Sequence, residues 1–477
     1  MKKKIILILV LLLAAGIFPA KSKADYEKDI KLFYEALVNV KDNYITDIEF
    51  KELIYSAIEG LMSGLDPHSA FLEPKGYQDL QRNSAGEYGG VGMVVSVKNN
   101  ILTCVAPMED TPSYKLGIKS GDQILKIDGM ETANMNLEMA VDMLRGEPGT
   151  TVKVTMYREA TQELKEYNIK REIIKVKSVK YVVYDKIGYL RLTDFKQNSH
   201  KEIADAIKEM EKSDPMGYII DLRNNPGGLL QSAIDVSNLF LPKGTKIVSV
   251  KGRYSQENIT YYAMAKPVME TKPIVLMINE GSASASEIVA GALRDNKRAI
   301  IIGEKSFGKG SVQRIFPLSD GSAIKITIAK YYTPVDECIH GVGISPDLLV
   351  RQTYYTDTEL TSMEKIESGK FIDDYLGDME LRIKSREKMD TSFEKTNEGY
   401  DKLDLETYSL NPVNIIMLEN KLKGNNLSVS KELLRLLVIK GLEKRKLSTD
   451  IIDPVMDAQL KNAFNSLKTI IWQSKGS

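Results

Sequence analysis

Gly281-Ser282-Ala283-Ser284-Ala285-Ser286-Glu287 stands between the apolar run from Ile274 to Ile278 and a stretch from Ala285 to Arg294 whose apolar residues recur at helical spacing. A short apolar strand that turns through small residues straight into a helix is a building unit of layered α/β domains. Such a turn can hold a serine beside the free N–H groups of the helix's first turn, where a developing oxyanion would be stabilised. A serine nucleophile still needs a base. His340 is the only histidine that follows, whereas Lys309 lies just beyond a predicted strand from Ala299 to Ile302, and lysine serves as a base when burial lowers its pKa. The plainer reading of the same residues is that the serines cap the helix and the small side chains allow close packing.

Outward from this unit, strand and helix alternate. Strands are predicted around Tyr181 to Tyr184, Gly188 to Leu192, Tyr218 to Asp221 and Ile247 to Val250, helices from His200 to Met210 and from Leu229 to Phe240, and a hairpin turning at Asp320-Gly321. That order predicts an α/β domain with much parallel pairing. Upstream, from Gly89 to Arg158, the period is that of strands (Val91 to Val97, Ile101 to Ala106, Gln123 to Ile127, Val152 to Tyr157) with one helix from Leu137 to Leu144, a compact mixed module. Residues 25–80 read as amphipathic helix, with Ile30, Phe33, Tyr34, Leu37 and Val38 in register and Leu53, Ile54, Ala57, Ile58 and Leu61 after them. Beyond Arg351 the chain turns charged and helix-prone, with clear periodicity at Leu433, Leu434, Leu437 and Val438 and at Leu460, Ala463, Phe464 and Leu467.

The first residues carry an address. Lys2, Lys3 and Lys4 precede an apolar run from Ile5 to about Ala15, and Ser22-Lys23-Ala24 fits a small-x-small cleavage site, so residues 1–24 are expected to direct export. Left uncleaved, the run extended to Ala20 would instead anchor the protein outside the membrane. At 477 residues, about three domains are expected. The 65 Lys and Arg balance 65 Asp and Glu, which removes the positive field that draws proteins to nucleic acid. The three histidines (His68, His200, His340) and two cysteines (Cys104, Cys338) are too scattered for metal-ligand spacing, so no metal, cofactor or disulfide framework is expected.

One segment imitates a nucleotide site. Gly303-Glu304-Lys305-Ser306-Phe307-Gly308-Lys309 fits the first seven places of a phosphate-binding loop. Position 310 is glycine where the metal-binding hydroxyl belongs, and Ser311 to Phe316 lead into a hairpin where a helix should begin.

Taken together, the chain resembles the C-terminal processing peptidases, or tail-specific proteases, from about Asp25 to Val350. Leu65-Asp66-Pro67-His68-Ser69 is similar to the family's LDPHS element, Gly89-Gly90-Val91-Gly92 to the opening of its PDZ domain, and Leu144 to Gly149 to its LRGxxG element. Asp221-Leu222-Arg223-Asn224-Asn225-Pro226-Gly227-Gly228-Leu229-Leu230, Gly281 to Glu287 and Gly308-Lys309-Gly310-Ser311-Val312-Gln313 resemble its DLRxNPGGLL, GSASASE and GKGxVQ motifs. The resemblance implies a crotonase-like α/β protease core (residues 166–351) with an inserted PDZ domain (86–165), a helical N-terminal region (25–85) and a helical C-terminal region (352–477). Within the last, residues 355–447 match nothing in the family, while Asp453 to Leu467 is similar to the family's usual ending.

The resemblance further implies an exported serine endopeptidase that cuts proteins near their C-termini without a cofactor. Ser284 would be the nucleophile, Lys309 the base and Gln313 the residue that orients it. Gly227 or Gly228 would form the oxyanion hole with Ala285, and Asp295 would have a supporting role. The PDZ loop Gly89, Gly90, Val91 and Gly92 would take the terminal carboxylate of an apolar tail, and Arg145 would couple a filled PDZ domain to the protease. A homodimer through the helical terminal regions and proximity to membrane or cell wall are further expectations. Two competing classes are a PDZ-bearing scaffold that captures tails without cutting them and an acyl-CoA enzyme of crotonase type. The second gives no reason for export or a PDZ domain.

Overall fold

The computed structural model describes residues 23–475 apart from 99, 100, 109, 134, 160, 354, 391–404, 447–450 and 454. The apolar run from Ile5 to about Ala15, expected to direct export, lies outside the described residues. Among those described, no helix is long and apolar enough to cross a membrane. The chain divides into two units, one made of residues up to Gln78 with Gln313–Ile328, the other of Asp79–Val312 with Ala329 onward.

In the first unit the predicted amphipathic helices form at Lys23–Asn43 and Phe50–Ser63. The helical pattern read to residue 80 is interrupted by a strand, Ala70–Leu72, that pairs antiparallel with Ala323–Lys325. The interruption has a local cause. Asp66 Oδ1 accepts hydrogen bonds from the His68 and Ser69 N–H groups and Oδ2 from Ser69 Oγ, a side-chain-closed turn around Pro67 that diverts the chain out of helix. Thr327 joins this turn, its N–H donating to Ser69 Oγ and its hydroxyl to Asp66 Oδ1, and Gln313 Nε2 donates to Thr327 Oγ1 at 3.4 Å.

The second unit is built on a six-stranded sheet in the order Val179–Tyr184, Ile187–Leu192, Gly217–Asp221, Ile274–Ile278, Ile300–Gly303, Leu348–Leu349. The first pair is antiparallel and the rest are parallel. Gly217–Asp221 and Ile274–Ile278 are buried at every position, as central strands covered on both faces must be. One face, with Ile187, Tyr189, Ile219, Val275, Met277 and Ile302, packs against Leu460, Ala463, Phe464, Leu467 and Ile471 of the C-terminal helix Ala458–Lys475. Gly188 on the other face meets Met210 of the helix Ser199–Met210, which packs on Leu230–Asn238, which in turn packs on Ala285–Asp295.

Inserted before this sheet is a separate antiparallel sheet, in the order Met93–Lys98, Ile101–Pro107, Gln123–Ile127, Thr151–Arg158, Glu163–Lys170, with the helix Leu137–Leu144 and its own core of Leu102, Ile124, Ile127, Val152, Val154 and Ile169. A two-stranded ribbon, Glu87–Gly90 with Glu172–Lys175, closes its base. Residues beyond 355 form the helices Asp357–Ser368, Phe371–Asp390, Leu405–Ser409, Pro412–Lys423 and Lys431–Lys446, which bury a core of their own around Tyr375, Leu376, Leu418, Leu434 and Val438.

Candidate active site

Three adjacent parallel strands end at Asp221, Ile278 and Gly303, and the loops that leave their carboxyl ends carry Gly227 and Gly228, Ser284, and Lys309 respectively. Ligand and catalytic groups gather at this edge in parallel α/β sheets, because neighbouring loops are brought together by strand pairing alone. The segment from Gly303 runs into the strand Ser311–Pro317, with no helix after it, which removes the phosphate-loop reading on structural grounds.

Ser284 stands at the elbow between Ile278 and the helix Ala285–Asp295 with φ +54° and ψ −110°. A non-glycine residue held there costs about 1–3 kcal/mol and persists only where its surroundings fix it. The fixing groups are visible. From Ser282 to Ala290 only Ser284 escapes full burial. Ser282 Oγ donates to Leu222 O, Ser286 Oγ donates to Asn225 O, and the Ala283 N–H donates to Asn225 O. Asn279 bonds both the N–H and the side chain of Asn224. The serine loop is thereby tied at several points to the loop that carries the glycines.

Glu287, wholly buried, joins serine to lysine. Its Oε2 accepts the Ser284 N–H at 2.8 Å and the Lys309 N–H at 2.9 Å, and its Oε1 accepts Ser306 Oγ at 2.6 Å and the Gly308 N–H at 2.7 Å. The two backbones are thus one carboxylate oxygen apart. Burial pushes the Glu287 pKa upward, and the four donors act against that shift by favouring the carboxylate. Glu287 ends the sequence motif but has no role assigned by sequence reasoning. Its signal there was only that of an N3 glutamate in a capping box.

The oxyanion reading left Gly227 and Gly228 as alternatives, and the structure separates them. The Gly227 N–H donates to Asn225 Oδ1 at 2.9 Å, so in this geometry it is spent and cannot serve an oxyanion. The N–H groups of Gly228 and Ala285 have no partner among the described residues. Gly227, at φ +101°, still must be glycine, because a Cβ there would lie 2.9 Å from Ser284 Cβ and 2.8 Å from Ala285 N.

Asp295 does not join this group. It ends the helix that Ala285 begins, on the order of 15 Å away at about 1.5 Å per residue. Its side chain is buried and its carboxylate accepts Arg294 Nε and the Val335 N–H. Gln313 belongs to the first unit, on the Thr327 and Asp66 network described above. His340 has its backbone against Gly310, where a Cβ would come within 2.2 Å of His340 N, so the histidine braces the lysine loop through main chain. Cys104 and Cys338 are both free.

In the inserted module the edge strand Met93–Lys98 is unpaired on the side of the helix Leu137–Leu144, the arrangement that accepts a peptide as an added strand. At its entrance the carbonyls of Val91 and Gly92 are held by Ser113, Met108 and Thr111, while the Val91 and Gly92 N–H groups have no partner among the described residues. Gly92, at φ +74°, leaves room for Thr111, which a Cβ would meet at 2.2 Å. Two free N–H groups in a rigid loop suit a terminal carboxylate. Arg145 stacks its guanidinium over Tyr88, beside this loop, at 4.8 Å from the ring centroid, and among the described residues it makes no ion pair with the sheet domain. Arg145→Ala should therefore leave the affinity for a tail peptide within about threefold, since an exposed cation–π contact contributes about 0.5–1 kcal/mol. A larger loss in peptidase turnover than in peptide affinity, compared by titration and rate assay, is the expected result. The reverse would place Arg145 in the peptide pocket.

Residues 186–350 match peptidase family S41 and residues 80–157 match the PDZ domain. The carboxy-terminal-processing protease of Bartonella bacilliformis is 42% identical over 369 residues, covering 76% of this chain and 82% of that one. The carboxyl-terminal-processing protease of Synechocystis is 39% identical over 343 residues, 70% of this chain and 80% of its own. Among solved structures, a photosystem II D1 C-terminal processing protease is 30% identical, covering 67% of this chain and 92% of that one with a TM-score of 0.41. At the identities and coverages of the Bartonella and Synechocystis proteases, the chain belongs to the carboxy-terminal processing proteases, serine peptidases of family S41 that carry a PDZ domain.

Proposed function

We propose that this peptidase works outside the cytoplasmic membrane, cutting protein substrates near their C-termini with a Ser284–Lys309 dyad on a crotonase-like core. Ser284 Oγ attacks the scissile carbonyl, the neutral Lys309 amine takes its proton, and Gln313 orients the lysine. The N–H groups of Gly228 and Ala285 receive the oxyanion, since fixed backbone donors need no reorganisation as charge develops. The observation that carries the reading is the single Glu287 oxygen that binds the Ser284 and Lys309 N–H groups together. Tails with apolar ends enter the PDZ domain as an added strand, their carboxylates on Val91 and Gly92, and occupancy there regulates cutting. The export reading rests on residues 1–24, and a homodimer would draw on the exposed Leu32 and Phe33 of the N-terminal helix.

Mass spectrometry after incubation with an unfolded protein ending in apolar residues tests the reading. Fragments whose cuts cluster toward the C-terminus are expected, with slower cleavage when the last residues are replaced by aspartates. Cuts spread evenly along the chain, or concentrated at the N-terminus, would remove the tail-directed part of the proposal.

A further inference from the structure

The helix Ala458–Lys475 packs on the sheet well past residues 186–350, the part that matches the peptidase family, yet its start reaches two of the catalytic loops. Arg223, in the loop that carries the oxyanion glycines, is 11% exposed and all of its donors are engaged. Nε bonds Asp221, Nη2 bonds Asp221 Oδ2 at 2.7 Å and Asp457 Oδ2 at 2.6 Å, and Nη1 bonds Asp457 Oδ1 at 2.9 Å and Gln459 Oε1 at 3.0 Å. Asp221 is fully buried and takes a further bond from Tyr189. Gln459, also fully buried, turns its amide the other way. Nε2 donates to Glu304 Oε2 at 3.1 Å and to Val350 O at 2.8 Å. Glu304 opens the loop that ends in Lys309. One turn of a distant helix therefore holds the oxyanion loop through Arg223 and the lysine loop through Glu304.

We infer that Asp457 and Gln459 are positioning residues of the peptidase site, setting the spacing between the oxyanion donors and the lysine from a helix that lies more than a hundred residues past residues 186–350. The inference rests on the reading of Ser284, Gly228 and Lys309 given above. Bidentate pairing of a guanidinium fixes both distance and plane, so it transmits the helix position to the loop as geometry and not merely as attraction. Small misplacements of such groups are expensive, about a hundredfold in rate for an ångström.

Two replacements separate positioning from folding. Asp457→Asn keeps an oxygen for the Leu460 N–H that the aspartate now caps, so the helix start survives, but its amide nitrogen faces an Arg223 donor. Gln459→Met keeps the length and removes all three side-chain hydrogen bonds, to Arg223, Glu304 and Val350 O. In the full chain each is expected to lower kcat about tenfold to a hundredfold, with KM within about twofold and a thermal midpoint within a few degrees of the parent. Affinity for a peptide boronic acid, whose tetrahedral adduct fills the oxyanion site, should fall with kcat, while affinity of the PDZ domain for an uncleaved tail should not change. Asp457→Glu, which restores the charge, should recover part of the rate. Parent-like kcat and boronate affinity in both folded variants would overturn the inference, as would a rate loss that only tracks the fraction unfolded. Ser284→Ala run in parallel keeps the two claims apart. An active Ser284→Ala would fail the underlying reading, whereas an inactive one beside fully active Asp457→Asn and Gln459→Met fails this inference alone.

Discussion

Ser284→Ala should lower kcat/KM by about 10⁴-fold or more while the protein stays folded and keeps its affinity for tail peptides, because the proposed nucleophile loses its attacking atom and little else changes. The positive φ is already paid by a residue with a Cβ, and alanine has one too, so the elbow is no more strained than before. The bonds that hold the elbow come from main chain and neighbours: the Ser284 N–H to Glu287, the Ala283 N–H to Asn225, and the side chains of Ser282 and Ser286. None of these needs the Ser284 hydroxyl, and the Glu287 N–H that it caps also donates to Ser284 O at 2.9 Å. Rates measured on a chromogenic peptide, with tail affinity measured separately on the same preparation, decide the matter. Parent-like turnover in the alanine variant would mean that another group attacks the carbonyl. A parent that binds tails yet never cuts would instead restore the scaffold reading.

The parts of this structure that were legible in sequence are those where the hydrophobic period is strong or a turn has special chemistry. Ile274–Ile278 and Gly217–Asp221 are buried on both faces and read as apolar runs, and the helices that follow them carry a clear stripe. The strand Glu163–Lys170 was not legible. It pairs along its length with Thr151–Arg158, but only Tyr167 and Ile169 turn inward, so charged residues dominate a segment whose stability comes from the partner strand. Ala70–Leu72 was hidden for a different reason: three residues are too few to show a period, and the Asp66 turn that follows the helix Phe50–Ser63 acts through a side chain.

The site divides along the same line. Ser284 and Lys309 stand out as residue types in motifs, whereas Glu287, Asn225 and Asp457 act through hydrogen bonds to main chain or to another side chain that only the folded loops bring near. Gly227 and Gly228 were indistinguishable as a pair of glycines. The Asn225 side chain, which occupies one N–H and not the other, separates them, and that contact depends on a turn whose dihedral angles no spacing rule supplies.

Lys309→Arg should be nearly inactive although the positive charge is kept. A base must be able to lose its proton, and a guanidinium does not do so in the accessible pH range. The Lys309 N–H that binds Glu287 belongs to the main chain, so the loop survives the substitution, and the flanking glycines are fixed by their own contacts with residues 339–343. With the proposed lysine base the neutral amine is the active form of the parent, so kcat/KM should rise with pH as the amine loses its proton and then level off. A histidine base would instead give a limb near about 6.5. Single replacements of His68, His200 and His340 should each leave the shape of that profile unchanged, even where replacing His340 loosens the brace behind Gly310 and lowers its height. The comparison is a set of kcat/KM profiles measured from acid to alkaline pH at constant ionic strength. Substantial turnover by Lys309→Arg, or loss of the rising limb in any histidine variant, would show that the proton of Ser284 goes elsewhere.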